Sequence, residues 1–305
     1  MGALLLSVLL AAAAQAAPEV QAPVTTHPGT RKLSEPLREA LRRVNRELSG
    51  TEYGRYLLTL TAQVPIVERR QTYGRPVRAV LAPEPVIEVD AERAPRLLPL
   101  EFELLFLRAR WKALCALPIE LADEEMAAEQ SVLEHALQKA EADKEFAAKL
   151  RQATAGAREL VESRRRMQKS ARGQGNQDPV LFPGMPPKDP LARIAFGLYL
   201  FSEDPYAVYA AAVDTAGLGP EAVTLTELKD FLDLHGADAA RVQYRADGRL
   251  AVVEGRVYPG RVARAAAAVR DREGLARVEE RLGPFRGAAQ QDLTKRVNAW
   301  LRSVP

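Results

Sequence analysis

The chain has 305 residues, 47% of them hydrophobic and 27% charged, with 43 Lys and Arg against 40 Asp and Glu, three His and one Cys. A net charge of +3 over this length gives no global basic field of the kind nucleic-acid binders carry, so nucleic acid is not an expected partner. One cysteine closes no intramolecular disulfide, and three histidines leave little material for His-rich metal or catalytic sites.

In chain order, Ala3 to Ala14 is an apolar run ending in Ala14-Gln15-Ala16, an A-x-A cleavage pattern, and residues 1–16 read as a secretory signal peptide. The run is shorter than the roughly 20 apolar residues a bilayer requires, and no later stretch is long and uncharged enough. The mature chain is therefore expected to lack a transmembrane segment and to be periplasmic or secreted. Arg outnumbers Lys 34 to 9, which with the many alanines is associated with high-GC bacterial genomes.

Residues 17–32 form a polar, Pro-containing lead, and residues 33–170 an α+β domain. Ser34 is placed to cap a helix whose Leu37, Leu41, Val44 and Leu48 recur at i, i+4, i+7 and i+11, with Gly50 as its stop. Thr51 is placed to cap a second helix carrying Tyr53, Leu57 and Leu60. The β-branched runs Val64–Arg69, Val77–Leu81 and Val86–Val89 are separated by Tyr73-Gly74 and Pro83-Glu84-Pro85, and predict a small β-meander packed on the helices. From Pro99 the helical period returns, with Leu100, Leu104, Leu107, Trp111 and Leu114 on one stripe and Phe102, Leu105 and Phe106 beside it. A helix apolar over so much of its circumference should be central and buried. Asp123 is then expected to cap a long acidic helix in which Met126, Leu133 and Leu137 face inward, with Phe146 and Leu150 further along.

Charge is segregated along this arm. Residues 119–145 carry a net of −7 and residues 151–175 a net of +5, so the near-neutral total conceals two opposite fields. The basic stretch, with Arg164-Arg165-Arg166, Lys169 and Arg172, reads as a solvated helix end: cations complement the C-terminal dipole, and no aromatic residues interleave to stack on bases.

Eight of the twenty residues from Ala171 to Pro190 are Pro or Gly, which marks 171–190 as a linker. Residues 191–305 read as a mainly helical domain. Asp189-Pro190 and Asp204-Pro205 each place Pro at a first helical position, and Thr224-Leu225-Thr226-Glu227 has capping-box spacing. Asp247-Gly248 predicts one hairpin over 241–254. Helix is expected to resume from Arg261 through Val278, with a last amphipathic segment from Asp292 to Leu301.

Catalytic motifs are missing: the chain has no G-x-S-x-G, no Walker loop and no C-x-x-C. Cys115 beside Leu114 reads as a buried inert thiol. His27 lies in the polar lead, His235 at a helix end where the dipole favours a cation, and His135 beside Glu134, read as a surface pair. No catalytic, cofactor-binding or metal-binding residue is assigned, and no cofactor is expected.

One resemblance lies in the order of elements. A helix, a small sheet ending in Val86-Ile87-Glu88-Val89-Asp90, a buried helix, and a helix opening Asp123-Glu124-Glu125-Met126-Ala127-Ala128 resemble the core of gluzincin-type zinc metallopeptidases over residues 34–150. In that family the first helix carries H-E-x-x-H, whose two His bind Zn²⁺ and whose Glu is the general base, and the next helix supplies a third ligand in an E-x-x-A context. Glu125-Met126-Ala127-Ala128 is similar to the latter. The first motif would fall near Phe106-Leu107-Arg108-Ala109-Arg110, where both histidines and the base are absent. The resemblance thus implies a zincin-like scaffold without its metal, with Glu125 ion-paired to Arg108 or Arg110. The expected function is that of an exported, non-catalytic binding or scaffolding module, with another envelope protein as the candidate partner. The alternatives are a hydrolase using paired carboxylates of Asp123–Glu145, and an adaptor that binds anionic partners through the arginines of 158–172.

Overall fold

The computed structural model describes residues 33–70, 75–81, 84–115, 121–173, 189–203, 223–236, 241–269, 272–283 and 288–305. The predicted signal peptide and lead, His27, most of the Pro/Gly-rich stretch and the helix expected from Pro205 to Ala216 lie outside them. The architecture is α+β and predominantly helical, as the sequence predicts. Among the described residues no helix is long and apolar enough to cross a membrane.

Helix α1 (Glu35–Ser49) buries its predicted stripe Leu37, Leu41, Val44 and Leu48. Ser34 precedes it in extended backbone, yet its side chain makes no cap; instead its N–H donates to Glu68 Oε2 at 2.6 Å. Helix α2 (Glu52–Leu60) is capped as expected, with Thr51 Oγ1 accepting the Gly54 N–H at 3.0 Å.

Strands β1 (Ile66–Arg69), β2 (Val77–Val80) and β3 (Val86–Asp90) form one sheet in the order β1-β3-β2. β1 runs parallel to β3, and β2 antiparallel to it. This corrects the expected meander, in which consecutive strands would be neighbours. β3 is the strand buried on both faces, with Ile87, Glu88, Val89 and Asp90 all enclosed, so its backbone groups need a partner on each side while β1 and β2 can serve as edges. Glu88 then receives Arg69 from one side at 3.0 Å and Arg78 from the other at 2.8 Å.

Helix α3 (Pro99–Cys115) is the predicted central helix: 11 of its 17 residues are buried, and it touches α1, α2, β2 and β3. The long acidic helix that follows is two helices, α4 (Ala122–Ala142) and α5 (Lys144–Gly173). They part at Asp143, whose Oδ1 accepts the N–H groups of Glu145 at 2.9 Å and Phe146 at 3.1 Å and so starts a new helix. Leu121, not Asp123, occupies the N-cap position of α4. Asp123 is in its first turn, where Oδ2 accepts the Leu225 N–H at 2.6 Å and ties α4 to a distant segment.

Helix α6 (Pro190–Glu203), capped by Asp189 onto the Ala192 N–H at 2.7 Å, packs along α5. Helix α7 (Leu225–His235) has the predicted capping box. Strands β4 (Gln243–Tyr244) and β5 (Leu250–Val253) form the predicted hairpin, and a second turn at Glu254-Gly255, both at positive φ (50° and 80°), adds β6 (Arg256–Pro259). The helix expected over 261–278 is broken into α8 (Gly260–Ala268) and α9 (Arg272–Leu282), and α10 (Ala288–Ser303) closes the chain. α6 and α10 pack on α4, and α9 packs on α3 and α4; the apolar cluster runs unbroken from Leu33 to Val297.

The α1–α2 corner requires glycine for close approach. A Cβ at Gly54 would stand 2.0 Å from the Leu48 carbonyl oxygen, which is backbone and cannot yield. Gly→Ala within a helix ordinarily stabilises by about 0.5–1 kcal/mol. Here Gly54→Ala is expected to destabilise by about 2 kcal/mol instead, seen as a lowered midpoint in urea unfolding.

Candidate functional site

Helix α3 carries Glu103, Arg108 and Arg110 into the interior, and each is met by its own set of partners. Toward the start of α3, the Glu103 carboxylate lies 2.7 Å from His135 Nε2 and 2.7 Å from Lys139 Nζ, both on α4 one helical turn apart. His135 Nδ1 is 2.7 Å from Thr51 Oγ1, and Lys139 also reaches Glu47 Oε2 at 2.7 Å while its ammonium sits over the Phe146 ring. Desolvation alone would push the Glu103 pKa up; the hydrogen bonds and charges of His135 and Lys139 outweigh it and hold the carboxyl below its usual range. Lys139 is raised in turn: burial opposes its charge, and Glu103 and Glu47 favour it.

His135 is therefore fully buried, and the predicted surface pair with Glu134 is not formed. Glu134 faces the other way, to Gln138 at 2.8 Å and to Arg296 of α10. The chain Thr51–His135–Glu103 has the connectivity of a hydroxyl nucleophile, a base and its orienting acid. The Thr51 hydroxyl, however, is enclosed and engaged in capping α2.

Toward the end of α3, Arg108 pairs with Glu125 and Glu129 of α4, and Lys112, one turn on, also pairs with Glu125. Asp123, Glu124 and Glu125 are all buried, so the acidic opening of α4 is an interior face and not the solvated one that its charge density implies. Arg110 points elsewhere: its Nη1 donates to the Thr61 hydroxyl at 2.6 Å and carbonyl at 3.2 Å, and the guanidinium lies over the Phe106 ring at 4.7 Å. Burial pushes its pKa down to about 10. Of the two arginines named from the sequence as partners of Glu125, Arg108 fills that role and Arg110 does not.

A cavity of about 540 Å³ opens beside the first cluster, between α1, α3 and the starts of α5 and α6. Val44, Leu100, Phe146 and Leu191 give it apolar walls, and Glu103 and Lys139 reach it from within. Of the carboxylates on its wall, Glu47, Glu103, Asp143, Glu145 and Asp189, only Glu103 is buried. Among the described residues no group of three or more His, Cys, Asp or Glu is placed to hold a metal ion.

The remaining candidates are structural. Cys115 is buried, and burial raises its thiol pKa well above the ordinary value, leaving it inert. His235 hydrogen-bonds the Tyr258 hydroxyl of β6 and packs against Phe231, its ring centroid 5.1 Å away. Arg158, in the basic part of α5, is turned to the Tyr199 hydroxyl at 3.3 Å, and Arg166 is exposed. Comparison with protein-family models, with curated proteins and with solved structures gives no match.

The depressed Glu103 pKa carries a sign. Its ion pairs contribute stability in full above the unfolded carboxyl pKa of about 4.3, and that contribution is lost as pH falls through the lower folded value. Glu103→Gln should cost about 3 kcal/mol at pH 7, because it leaves His135 buried without its carboxylate and Lys139 with Glu47 alone. The deficit relative to wild type should narrow steadily below about pH 4.3, measured by urea unfolding across that range.

Proposed function

We propose that this chain is an exported, non-catalytic protein on a zincin-like scaffold in which a fixed cluster of ion pairs stands where a metal site would be, and that it acts as a binding or scaffolding module. The observation that carries this reading is the pair Arg108 and Lys112, four residues apart on α3, both turned to Glu125 across the α3–α4 interface. Counted from that pair, the motif lies two residues beyond the place that element order gives. Arg108 and Lys112 stand for the two histidines, Ala109 for the general base, and Glu125 for the third ligand. A guanidinium and an ammonium bring together the two positive charges that a divalent cation would supply, and Glu125 and Glu129 balance them. With Ala at the base position, such a site has no group to activate water.

The carboxylate-hydrolase reading has less support. Its chemistry needs one carboxyl group held protonated near neutrality, whereas Glu125, fully buried within that segment, is engaged by two cations, Arg108 and Lys112.

Elemental analysis of the purified protein should find substoichiometric zinc, and Arg108→His/Lys112→His should gain about one zinc per chain without gaining peptidase activity, as His at i and i+4 facing Glu125 complete a tetrahedral donor set with water. Stoichiometric zinc in the wild-type protein, or peptidase activity that disappears in Glu125→Ala, would overturn the proposal.

A further inference from the structure

The sheet β4-β5-β6 turns one face inward and leaves the other open. Ala251 and Val253 of β5 are buried, and α8 packs on β5 and β6. Side chains alternate along a strand, so Leu250 and Val252 point the other way. Through the strand register Val252 stands between Gln243 and Val257, and Leu250 stands beside Pro259. Arg245 extends this second row, its N–H donating to the Leu250 carbonyl at 3.0 Å. Val257 is 51% exposed, and Tyr244 on the edge strand β4 is 45% exposed.

Positive charge surrounds this apolar face. Residues 241–264 hold six Arg against two acids, Asp247 and Glu254. Glu254 is taken by Arg241 at 2.8 Å, and Asp247 Oδ1 accepts the Arg249 N–H at 3.0 Å within its turn. Arg261 is held by Glu227 of α7 at 2.8 Å. Among the described residues the side chains of Arg245, Arg249 and Arg256 make no hydrogen bond or ion pair, and all three are exposed. Arg245 and Arg249 flank the Asp247-Gly248 turn at one end of the sheet, and Arg256 follows the Glu254-Gly255 turn at the other.

Shape and chemistry decide between anionic partners. A single-stranded nucleic acid needs aromatic rings to stack on, and the open face carries Leu250, Val252, Val257 and Pro259 instead, while Tyr258 shares the inward side with Ala251. An added peptide strand needs outward backbone donors along β6. The Gly260 N–H donates to the Arg249 carbonyl at 2.8 Å, so by alternation Tyr258 pairs toward β5 while Val257 and Pro259 face out, and proline has no N–H to offer. A bilayer requires neither: it takes aliphatic side chains at its acyl boundary and cations at its headgroup phosphates. We propose that the open face of β4–β6 docks on an anionic lipid surface, with Val252 and Val257 entering the headgroup layer and Arg245, Arg249 and Arg256 pairing with lipid phosphates. The surface does not rest on the zincin-like reading, since it needs no metal and no peptidase ancestry.

The test is co-sedimentation of the full chain with vesicles of phosphatidylcholine alone and with vesicles of phosphatidylcholine and phosphatidylglycerol in equal parts, at one low ionic strength. Binding to the anionic vesicles should exceed binding to the neutral ones by about a hundredfold, each of three cations near the surface giving about fivefold, and high salt should remove the difference. Arg245→Gln/Arg249→Gln/Arg256→Gln should abolish this preference. Arg43→Gln/Arg46→Gln/Arg302→Gln, which removes the same charge from exposed positions on α1 and α10, should retain it. Val257→Thr keeps a β-branched side chain on the strand and should weaken anionic binding by about threefold with Tm unchanged. Equal binding to the two kinds of vesicle, a preference that survives in the sheet variant, an equal loss in the α1/α10 variant, or full binding by Val257→Thr would overturn the proposal. So would tighter binding to a single-stranded oligonucleotide or to polyglutamate than to the anionic vesicles, which would assign the face to that partner.

Discussion

The constraint on which the fold depends is the burial of three charged side chains, Glu103, Arg108 and Arg110, on a single helix at the centre of the molecule. A buried charge left unpaired costs several kcal/mol, so whatever packs on α3 has to answer each of them. Helix α4 answers two, and does so with opposite polarity at its two ends. Glu103 of α3 meets cations near the end of α4, while Arg108 and Lys112 of α3 meet carboxylates near its beginning. The helices run antiparallel, and sliding one along the other by a turn, about 5.4 Å, would separate every pair. The packing of buried apolar side chains such as Leu107 and Leu133 tolerates such a slip far better than ion pairs do. The charges thus fix the register, and the leucines supply the burial.

Arg110 is answered differently, by the Thr61 hydroxyl and carbonyl at the end of α2 and by the face of Phe106. Thr51, at the other end of α2, caps that helix and touches His135. The short helix α2 therefore connects both of its ends to the charged interior. The tight corner at Gly54 that brings Thr51 into place belongs to the same construction. The later part of the chain closes it from outside. Arg281 of α9 donates to the Leu114 and Cys115 carbonyls, satisfying the end of α3, and Arg296 of α10 holds Glu134 and Glu141 of α4.

Sequence periodicity reads what depends on apolar spacing. The stripe Leu37–Leu48, the Thr51 cap, the central position of α3 and the capping box at Thr224 are all local patterns, and all are present in the fold. The misreadings arise where pairing over long distances decides. Nothing within three short strands says that β3 takes the middle of its sheet; that shows only in the burial of Ile87, Glu88, Val89 and Asp90, on both of its faces. The break at Asp143 has neither Gly nor Pro to mark it, because an aspartate cap ends one helix by starting the next. The acidic run 119–145 reads as solvated because density of charge is the only local signal. The spacing of its partners could have corrected this: Arg108 and Lys112 on one helix, His135 and Lys139 on the next, each pair at i and i+4. Paired cations at helical spacing on a mostly apolar helix, followed by a helix rich in glutamate, are a signature of two buried faces in contact.

A buried ion-pair cluster contributes little net stability relative to a well-packed apolar one, but breaking it is costly. It therefore resists change more than it favours folding, and a helix pair joined in this way is stiff. A catalytic site needs groups whose protonation can move during a reaction, and here Glu103 is held ionised by His135 and Lys139, while the Thr51 hydroxyl that completes the chain is walled in. The same enclosure suits a part whose task is to present a fixed surface.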